Sequence, residues 1–437
     1  MSTFSLIKQQ VAESAARNGI SGKVLIGLSG GADSVALLCA LCEIRTEIGV
    51  TPMAIYVNHG LRTEAEEEEA FCAALCGRLR VPFSVRRVSV SAKGSLEASA
   101  RDARYRAFQD EMNETGCGTL VLAHHMDDQA ETLLLHLCYG AGSDGLAGMS
   151  EYRTPTWRPL LGLRRETLRS ALREIGQEWR EDQSNANPEY TRNYMRLRVM
   201  PMLEALYPEA VSAMARTSII LQGENDCLQK SCLAWLEQNT SKGPWPFIMV
   251  APLRDMHIAM RRRILRMYAA RFGLSLEFSH TEALVNLAES ESGAVCNLPM
   301  GWQGLKTRDR IHLIAPKQNN RKMQWDPDLL RLCVSSEKVN GRQAHAIPAG
   351  LYEKAKLRTR LPGDWIRSFG MHGTMKLKDY MISRNVDRPF RADWPLLCEG
   401  SEVLWVIGIG ASERLRVDPQ AKDHFILSFS GDLPDAL

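Results

Sequence analysis

Residues 29–34, Ser-Gly-Gly-Ala-Asp-Ser, carry the densest anion chemistry in the chain. An apolar, strand-like run (24–28) precedes them, and an apolar helical pattern through Val35, Leu37, Leu38 and Leu41 follows. A Gly-rich turn between a strand and a helix N-terminus presents free backbone N–H groups, and the helix dipole favours an anion there. Ser29, Gly30, Gly31, Ala32, Asp33 and Ser34 are therefore the candidate phosphate cradle. The glycines let the backbone wrap closely, the serines add hydroxyl donors, and Asp33 suits a metal ion beside the phosphates. An ordinary strand–turn–helix corner has a similar composition. The GxxxxGK[ST] pattern is absent, so a standard loop for cleaving the β–γ bond is not supported.

A second cluster lies at 123–132, Ala-His-His-Met-Asp-Asp-Gln-Ala-Glu-Thr. Asp128 and Glu131 are three apart and His124 and Asp128 four apart, so they share a face if a helix has begun. Together with His125 they suit Mg²⁺ positioning or orientation of a substrate carbonyl. Helix capping, with Asp127 or Asp128 as N-cap, explains part of the same pattern. A third group is Arg192 and Arg196, four apart on one helical face, suited to ATP phosphates, an RNA backbone or simply a solvated surface.

These groups need elements to hold them. Apolar spacing predicts a helix over 3–18, strands at 24–28, 52–57, 83–90 and 119–123, and helices between them, ending with one over 128–138. The acidic run 64–69 opens one of these helices. Alternating strands and helices imply a buried parallel sheet, whose ligands sit at the carboxyl ends of the strands. The 29–34 loop, residues 58–62 and residues 124–128 all fall at such ends. Gly140, Gly142 and Gly145 fit GxGxxG but follow a helical pattern, so they read as a flexible loop, not a dinucleotide site. Gly408 and Gly410 read as strand and turn.

The 437 residues suffice for two or three domains, and 45% hydrophobic with 24% charged residues is ordinary for a globular chain. No apolar run approaches the ~20 residues of a membrane span, and the N-terminus lacks a secretory pattern, so a cytoplasmic, membrane-free protein is expected. Eleven scattered cysteines read as a reduced set; the Cys39-x-x-Cys42 pair lies in a helix, with no second pair to complete a four-thiolate site. Charge is uneven. Residues 153–180 carry a net +4 and 351–391 a net +6, the latter interleaved with Trp365, Phe369, Tyr380, Phe390 and Trp394. Basic groups with aromatic planes suit RNA, although aromatics also build cores. The expected organisation is an α/β catalytic domain with a parallel sheet over 1–215, a mostly helical middle domain over 216–340, and a small α+β RNA-binding domain over 346–437. A break at 242–246 and a polar connector at 318–324 fall between elements.

The loop at 29–34 resembles the pyrophosphate loop of the PP-loop ATP pyrophosphatases. The ordered set that follows it is similar to the tRNA(Ile)-lysidine synthetases over nearly the whole chain. That set comprises 57–62, 123–132 with the Gly-rich 137–149, Asp182-x-Ser184-Asn185, Arg192-Asn193-x-x-Arg196, and 360–364, 376–378 and 389–395. The resemblance implies an ATP- and Mg²⁺-dependent ligation of free L-lysine to the wobble cytidine of tRNA(Ile) with a CAU anticodon, through an adenylated base. It implies a catalytic set of Asp33, His125, Asp128, Glu131, Arg192 and Arg196, with Asp33 and Asp128 as metal ligands. A PP-loop tRNA thiolase is disfavoured by the single helical CxxC. A non-catalytic RNA-binding protein is disfavoured by the intact polar clusters.

Overall fold

The computed structural model describes residues 2–58, 65–88, 96–181, 191–241, 246–316, 327–333, 344–370, 373–386, 388–416 and 424–430. The expected features at 59–62, 182–185 and 318–324, and most of the 242–246 break, lie outside the described residues. The chain divides into two compact units, 1–227 and 228–437.

The first unit begins with α1 (Thr3–Asn18), β1 (Gly22–Gly27), α2 (Ala32–Ile44), β2 (Val50–Asn58), α3 (Ala65–Leu79), β3 (Phe83–Arg87), α4 (Leu96–Thr115), β4 (Thr119–Val121) and α5 (Met126–Cys138). It continues with α6 (Ser143–Leu146), a hairpin of β5 (Tyr152–Arg153) and β6 (Thr156–Trp157), α7 (Arg165–Glu174), α8 (Thr191–Tyr194), α9 (Met200–Leu206) and α10 (Ala210–Asn239), whose last residues belong to the second unit. The six strands form one sheet, ordered β3-β2-β1-β4-β6-β5, with only the edge strand β5 antiparallel. Val24, Leu25 and Ile26 of β1 are fully buried, as expected of a central parallel strand covered on both faces. Helix α2 is apolar nearly all round, with ten of its thirteen residues buried, because it packs on the sheet and on α1 and α7 together. The predicted α/β class and strand–helix alternation are present. The β5–β6 hairpin was not foreseen, since two-residue strands leave too short a pattern to read.

The second unit contains a four-stranded antiparallel sheet, ordered β7-β10-β9-β8, from β7 (Phe247–Met249), β8 (Val295–Asn297), β9 (Gln303–Thr307) and β10 (Arg310–Ile314). Helices α11 (Ala251–Arg254), α12 (Ile258–Ala270) and α13 (Phe278–Glu289) share its core through Ile264, Leu265, Tyr268, Leu284 and Ile311. The middle region is thus helical as expected, with two more strands than the pair anticipated at 294–315. Towards the C-terminus lie a three-stranded sheet from 330–333, 344–348 and 424–429, and a six-stranded one from 356–358, 365–366, 375–376, 396–399, 402–406 and 410–411. Tyr380, Phe390 and Trp394 are buried in the core of this region. Three of the five aromatics expected to alternate with basic residues therefore serve packing. Phe369 alone of the five is exposed, and it stacks on His345 with centroids 6.0 Å apart.

Candidate functional site

The site is built at the carboxyl ends of β1 and β4. Gly31 is the N-cap of α2 and no side chain caps the helix, so its first N–H groups face outward at the positive end of the dipole. Gly30 has φ +79°, and a Cβ there would meet the Cys72 Sγ at 3.4 Å and the Phe71 ring at 3.6 Å. The angle calls for glycine, whereas the added Cβ would make only ordinary van der Waals contacts. Arg180 supports the loop from below: its N–H donates to the Gly30 carbonyl (2.9 Å), and its guanidinium lies over the Phe71 ring. The serines act differently from the sequence expectation. The Ser34 hydroxyl donates to the Gly31 carbonyl (3.0 Å) and accepts from the Ser29 N–H (3.2 Å), so it shapes the loop. Ser29 Oγ lies 3.2 Å from Ser34 Oγ.

Helix α5 is capped by His125, not by Asp127 or Asp128. His125 Nδ1 accepts from the Asp128 N–H (3.3 Å), and Asp128 Oδ2 accepts from the His125 N–H (3.1 Å), a reciprocal capping box. Accepting at Nδ1 leaves the ring proton at Nε2, which lies 3.5 Å from Asp33 Oδ2 and 3.5 Å from Asp128 Oδ2. His125 thereby joins the PP-loop helix to the second cluster. Burial pulls its pKa down, but the carboxylates of Asp128, Asp33 and Asp127 outweigh that and hold it above 6.5. His124 precedes the helix and does not share its face. Burial lowers the His124 pKa to about 4, so this ring is neutral at physiological pH. Asp127 Oδ2 also lies 3.5 Å from His125 Nδ1, and its carboxylate accepts from the Arg165 N–H (2.8 Å) and from Arg164 Nε (3.1 Å) at the start of α7.

Asp128, Glu131, Arg192 and Arg196 form one quartet, the carboxylates buried and the guanidiniums half-buried. Glu131, 1% exposed, accepts from Arg196 Nε (2.6 Å), Arg196 Nη2 (3.0 Å) and Arg192 Nε (3.1 Å). Asp128 Oδ1 lies 3.0 Å from Arg196 Nη2 and 3.4 Å from Arg192 Nη2. Burial would raise the Asp128 pKa, but His125 and the two arginines overcome this and draw it to about 2. A π-helical turn, Met195–Val199, joins α8 to α9 and carries Arg196; such turns recur at functional sites. Arg192 and Arg196 do share a face, as their spacing predicted, yet that face meets carboxylates and is not a solvated surface.

The two expected metal ligands differ. Asp128 has Oδ1 among guanidiniums and Oδ2 on the His125 N–H. Asp33 Oδ1 is buried without a hydrogen-bond partner. Among the described residues no group of three His, Cys, Asp or Glu is arranged around a cation. That donor set suits Mg²⁺, which takes one or two carboxylates and completes its shell with phosphates and water. The sequence reading missed two supports, Arg180 and Gln129. The Gln129 side chain bonds the Ala147 carbonyl and both the N–H and carbonyl of Met149; Gln222 of α10 bonds the same two carbonyls. The Gly-rich segment expected to be a flexible loop is held by these amides and folds one short helix, α6. Gly148, at φ +64°, packs so closely on Gln129 that a Cβ would lie 2.8 Å from its Oε1.

The PP-loop domain family matches residues 5–203, and the TilS substrate C-terminal domain family matches 355–426. The tRNA(Ile)-lysidine synthase of Chromobacterium violaceum is 33% identical over 437 residues, 90% of this chain and 93% of that protein. The chain belongs to the tRNA(Ile)-lysidine synthase family. The namesake of Caldanaerobacter subterraneus subsp. tengcongensis is 28% identical over 93% of this chain and 94% of its own length. Membership in the family makes this a tRNA-modifying ligase that uses ATP on a PP-loop domain. The thiolase alternative has no support from the thiols near the loop. Burial raises Cys39, Cys72 and Cys76 to about 12, which keeps them protonated and poorly nucleophilic. No helix of the described residues is long and apolar enough to cross a membrane.

Proposed function

We propose that this enzyme joins the ε-amine of free L-lysine to C2 of the wobble cytidine of tRNA(Ile) with a CAU anticodon. The observation that carries the reading is the His125 Nε2 to Asp33 Oδ2 approach of 3.5 Å, which sets the uncapped α2 N-terminus against the acid–arginine quartet. The N–H groups of 31–34 hold the pyrophosphate portion of ATP. Asp33, whose Oδ1 is buried without a partner, would hold Mg²⁺, and the ion would supply charge neutralisation for the leaving pyrophosphate. The cytosine C2 oxygen attacks the α-phosphorus, the α–β bridge breaks, and pyrophosphate leaves an O2-adenylated base. The lysine ε-amine then adds at C2 and AMP departs with the C2 oxygen. His125 keeps Asp33 aimed at the loop, and the quartet fixes α5 so that this aim persists through both steps. The exposed Lys376 and Lys378 and the other basic groups of 351–391 bind the tRNA backbone.

The test is incubation with ATP–Mg²⁺, labelled lysine and unmodified CAU-anticodon tRNA(Ile). Label enters the tRNA with stoichiometric AMP, and a tRNA(Met) control remains unlabelled. Absence of both tRNA-dependent AMP and label ends the proposal.

A further inference from the structure

Helix α10 holds the 143–149 segment with a ladder of polar side chains. The inward positions of α10 follow a 3–4 spacing, Val211, Ala215, Ser218, Gln222 and Asn225, and resume at Cys232 and Leu236. The ends of this seam are apolar and its middle is polar. Ser218 Oγ donates to the Leu146 carbonyl (3.3 Å), Gln222 Nε2 to those of Ala147 (2.7 Å) and Met149 (2.9 Å), and Asn225 Nδ2 to that of Ser143 (2.8 Å). Helix α5 grips the same segment. Its Gln129 Nε2 reaches the Ala147 and Met149 carbonyls at 3.4 and 3.1 Å, Gln129 Oε1 accepts the Met149 N–H (2.8 Å), and His136 Nδ1 lies 2.6 Å from the Gly145 carbonyl. The Ala147 and Met149 carbonyls thus accept from both helices, which uses both lone pairs of each. An apolar seam would bury the same helix without the cost of desolvating three polar groups. A polar seam fixes register instead, because a slip of one turn leaves every amide and carbonyl unmatched.

We infer that Ser218, Gln222 and Asn225 are positioning residues for the adenylation step, setting the first turn of α5 through the 143–149 segment and tying that turn to the second unit through α10. Gln129 adjoins Asp128, which shares the capping box with His125, and His125 faces Asp33. A displacement of the segment therefore moves the turn that carries His125 and Asp128. Gly148 leaves no slack, since a Cβ there would lie 2.8 Å from Gln129 Oε1. The same helix continues into the second unit, where Cys232 and Leu236 are fully buried in a core with Ile264, Leu265, Leu284 and Ile311. At 1.5 Å per residue, Asn225 and Cys232 lie about 10 Å apart along one rigid rod. The ladder is thus the point at which load on the second unit reaches the catalytic edge. This rests on the functional reading above, in which basic groups of the second unit bind the tRNA backbone. Full-length tRNA then acts on the adenylation site through α10, and an isolated anticodon stem-loop does not.

The experiment measures kcat for AMP formation, and Kd, with full-length CAU-anticodon tRNA(Ile) and with its anticodon stem-loop. The variants are Gln222→Met, Asn225→Leu, Gln222→Lys and Gln229→Pro, the last at an exposed position of α10 between the ladder and Cys232. Gln222→Met and Asn225→Leu should each lower kcat on both RNAs by about ten- to hundredfold, the upper figure being the cost of a misplacement of about 1 Å, with tRNA Kd unchanged. Gln222→Lys keeps a donor on a long side chain and should recover part of the loss. Wild type should turn over full-length tRNA faster than the stem-loop at saturation. Gln229→Pro, which breaks the rod and spares the ladder, should bring the first rate down to the second and leave the second unchanged. Retained ATP binding reports a folded PP-loop domain; where a larger change prevents it, Ser218→Ala, which deletes one hydroxyl, supplies the same readout. A ladder that serves stability alone would lower the melting temperature and leave kcat intact, and that result overturns the inference. So does a ratio of full-length to stem-loop rates unchanged by Gln229→Pro, or a ratio of one in wild type. Wild-type enzyme that forms no tRNA-dependent AMP overturns the functional reading itself, which separates the two failures.

Discussion

Replacing Glu131 by Gln keeps the shape of the quartet and removes one of its two negative charges. Glu131 receives three guanidinium hydrogen bonds at 2.6, 3.0 and 3.1 Å. Taking one partner out of a buried ionic network costs about 3–5 kcal/mol, because the remaining charge stays desolvated. Arg192 and Arg196 retain 29% and 18% side-chain exposure, and Asp128 Oδ1 stays close to both. The lower end, about 3 kcal/mol, is therefore expected. For a compact unit of this size that corresponds to roughly 6–12 °C in transition temperature. Scanning calorimetry of the full chain, beside the wild type, measures the shift. Adding Arg196→Met to Glu131→Gln removes the stranded guanidinium, so the double variant should be more stable than additivity demands, by about 1–3 kcal/mol. A shift under about 2 °C, or strict additivity, would show that the quartet does not lock α5.

Asp33→Asn should abolish tRNA-dependent AMP formation while tRNA binding persists; a variant with wild-type turnover removes Asp33 from the chemistry. Asp128, with its pKa lowered to about 2, contributes stability that is complete above 3.8 and is lost as pH falls towards 2. Acid unfolding of Asp128→Asn should accordingly show a flatter limb over that window, and superimposable limbs would contradict the assignment. Thiol labelling at pH 8 should modify the exposed Cys138 and Cys227 quickly, and Cys39, Cys72 and Cys76 only on unfolding; peptide mapping that finds the buried three labelled first would refute this. Replacing Lys376 and Lys378 by Gln should weaken tRNA binding and lower the slope of log K against log salt by about 1–2. An unchanged slope assigns the RNA contact elsewhere.

What was legible in the sequence followed from periodicity and punctuation. The phosphate loop was readable because glycine and serine interrupt an apolar strand and a helix starts at once; β1 falls within a few residues of expectation and α2 starts directly after the loop. The capping of α5 was legible only as a choice among polar residues. Selecting His125 required knowing that its ring accepts from the N3 N–H. The hairpin carrying Arg153 and Arg158 was hidden because each strand is two residues long. The aromatics of the C-terminal region were ambiguous for a different reason. Trp394 donates its Nε1–H to the Ile407 carbonyl inside a core, and no local pattern distinguishes that from a stacking surface.

Arginine shows the same limit from the side of charge. Arg192, Arg196 and Arg158 are identical letters in a basic stretch, and net charge treats them alike. Their surroundings separate them. Arg192 and Arg196 face two buried carboxylates, so the pair is compensated before any substrate arrives, and moving either onto a phosphate would strand Glu131. Arg158 donates to the Ser150 carbonyl and keeps its Nε buried without a hydrogen-bond partner. The compensated arginines are suited to holding α5 rigid. A catalytic edge built this way keeps its framework independent of substrate charge.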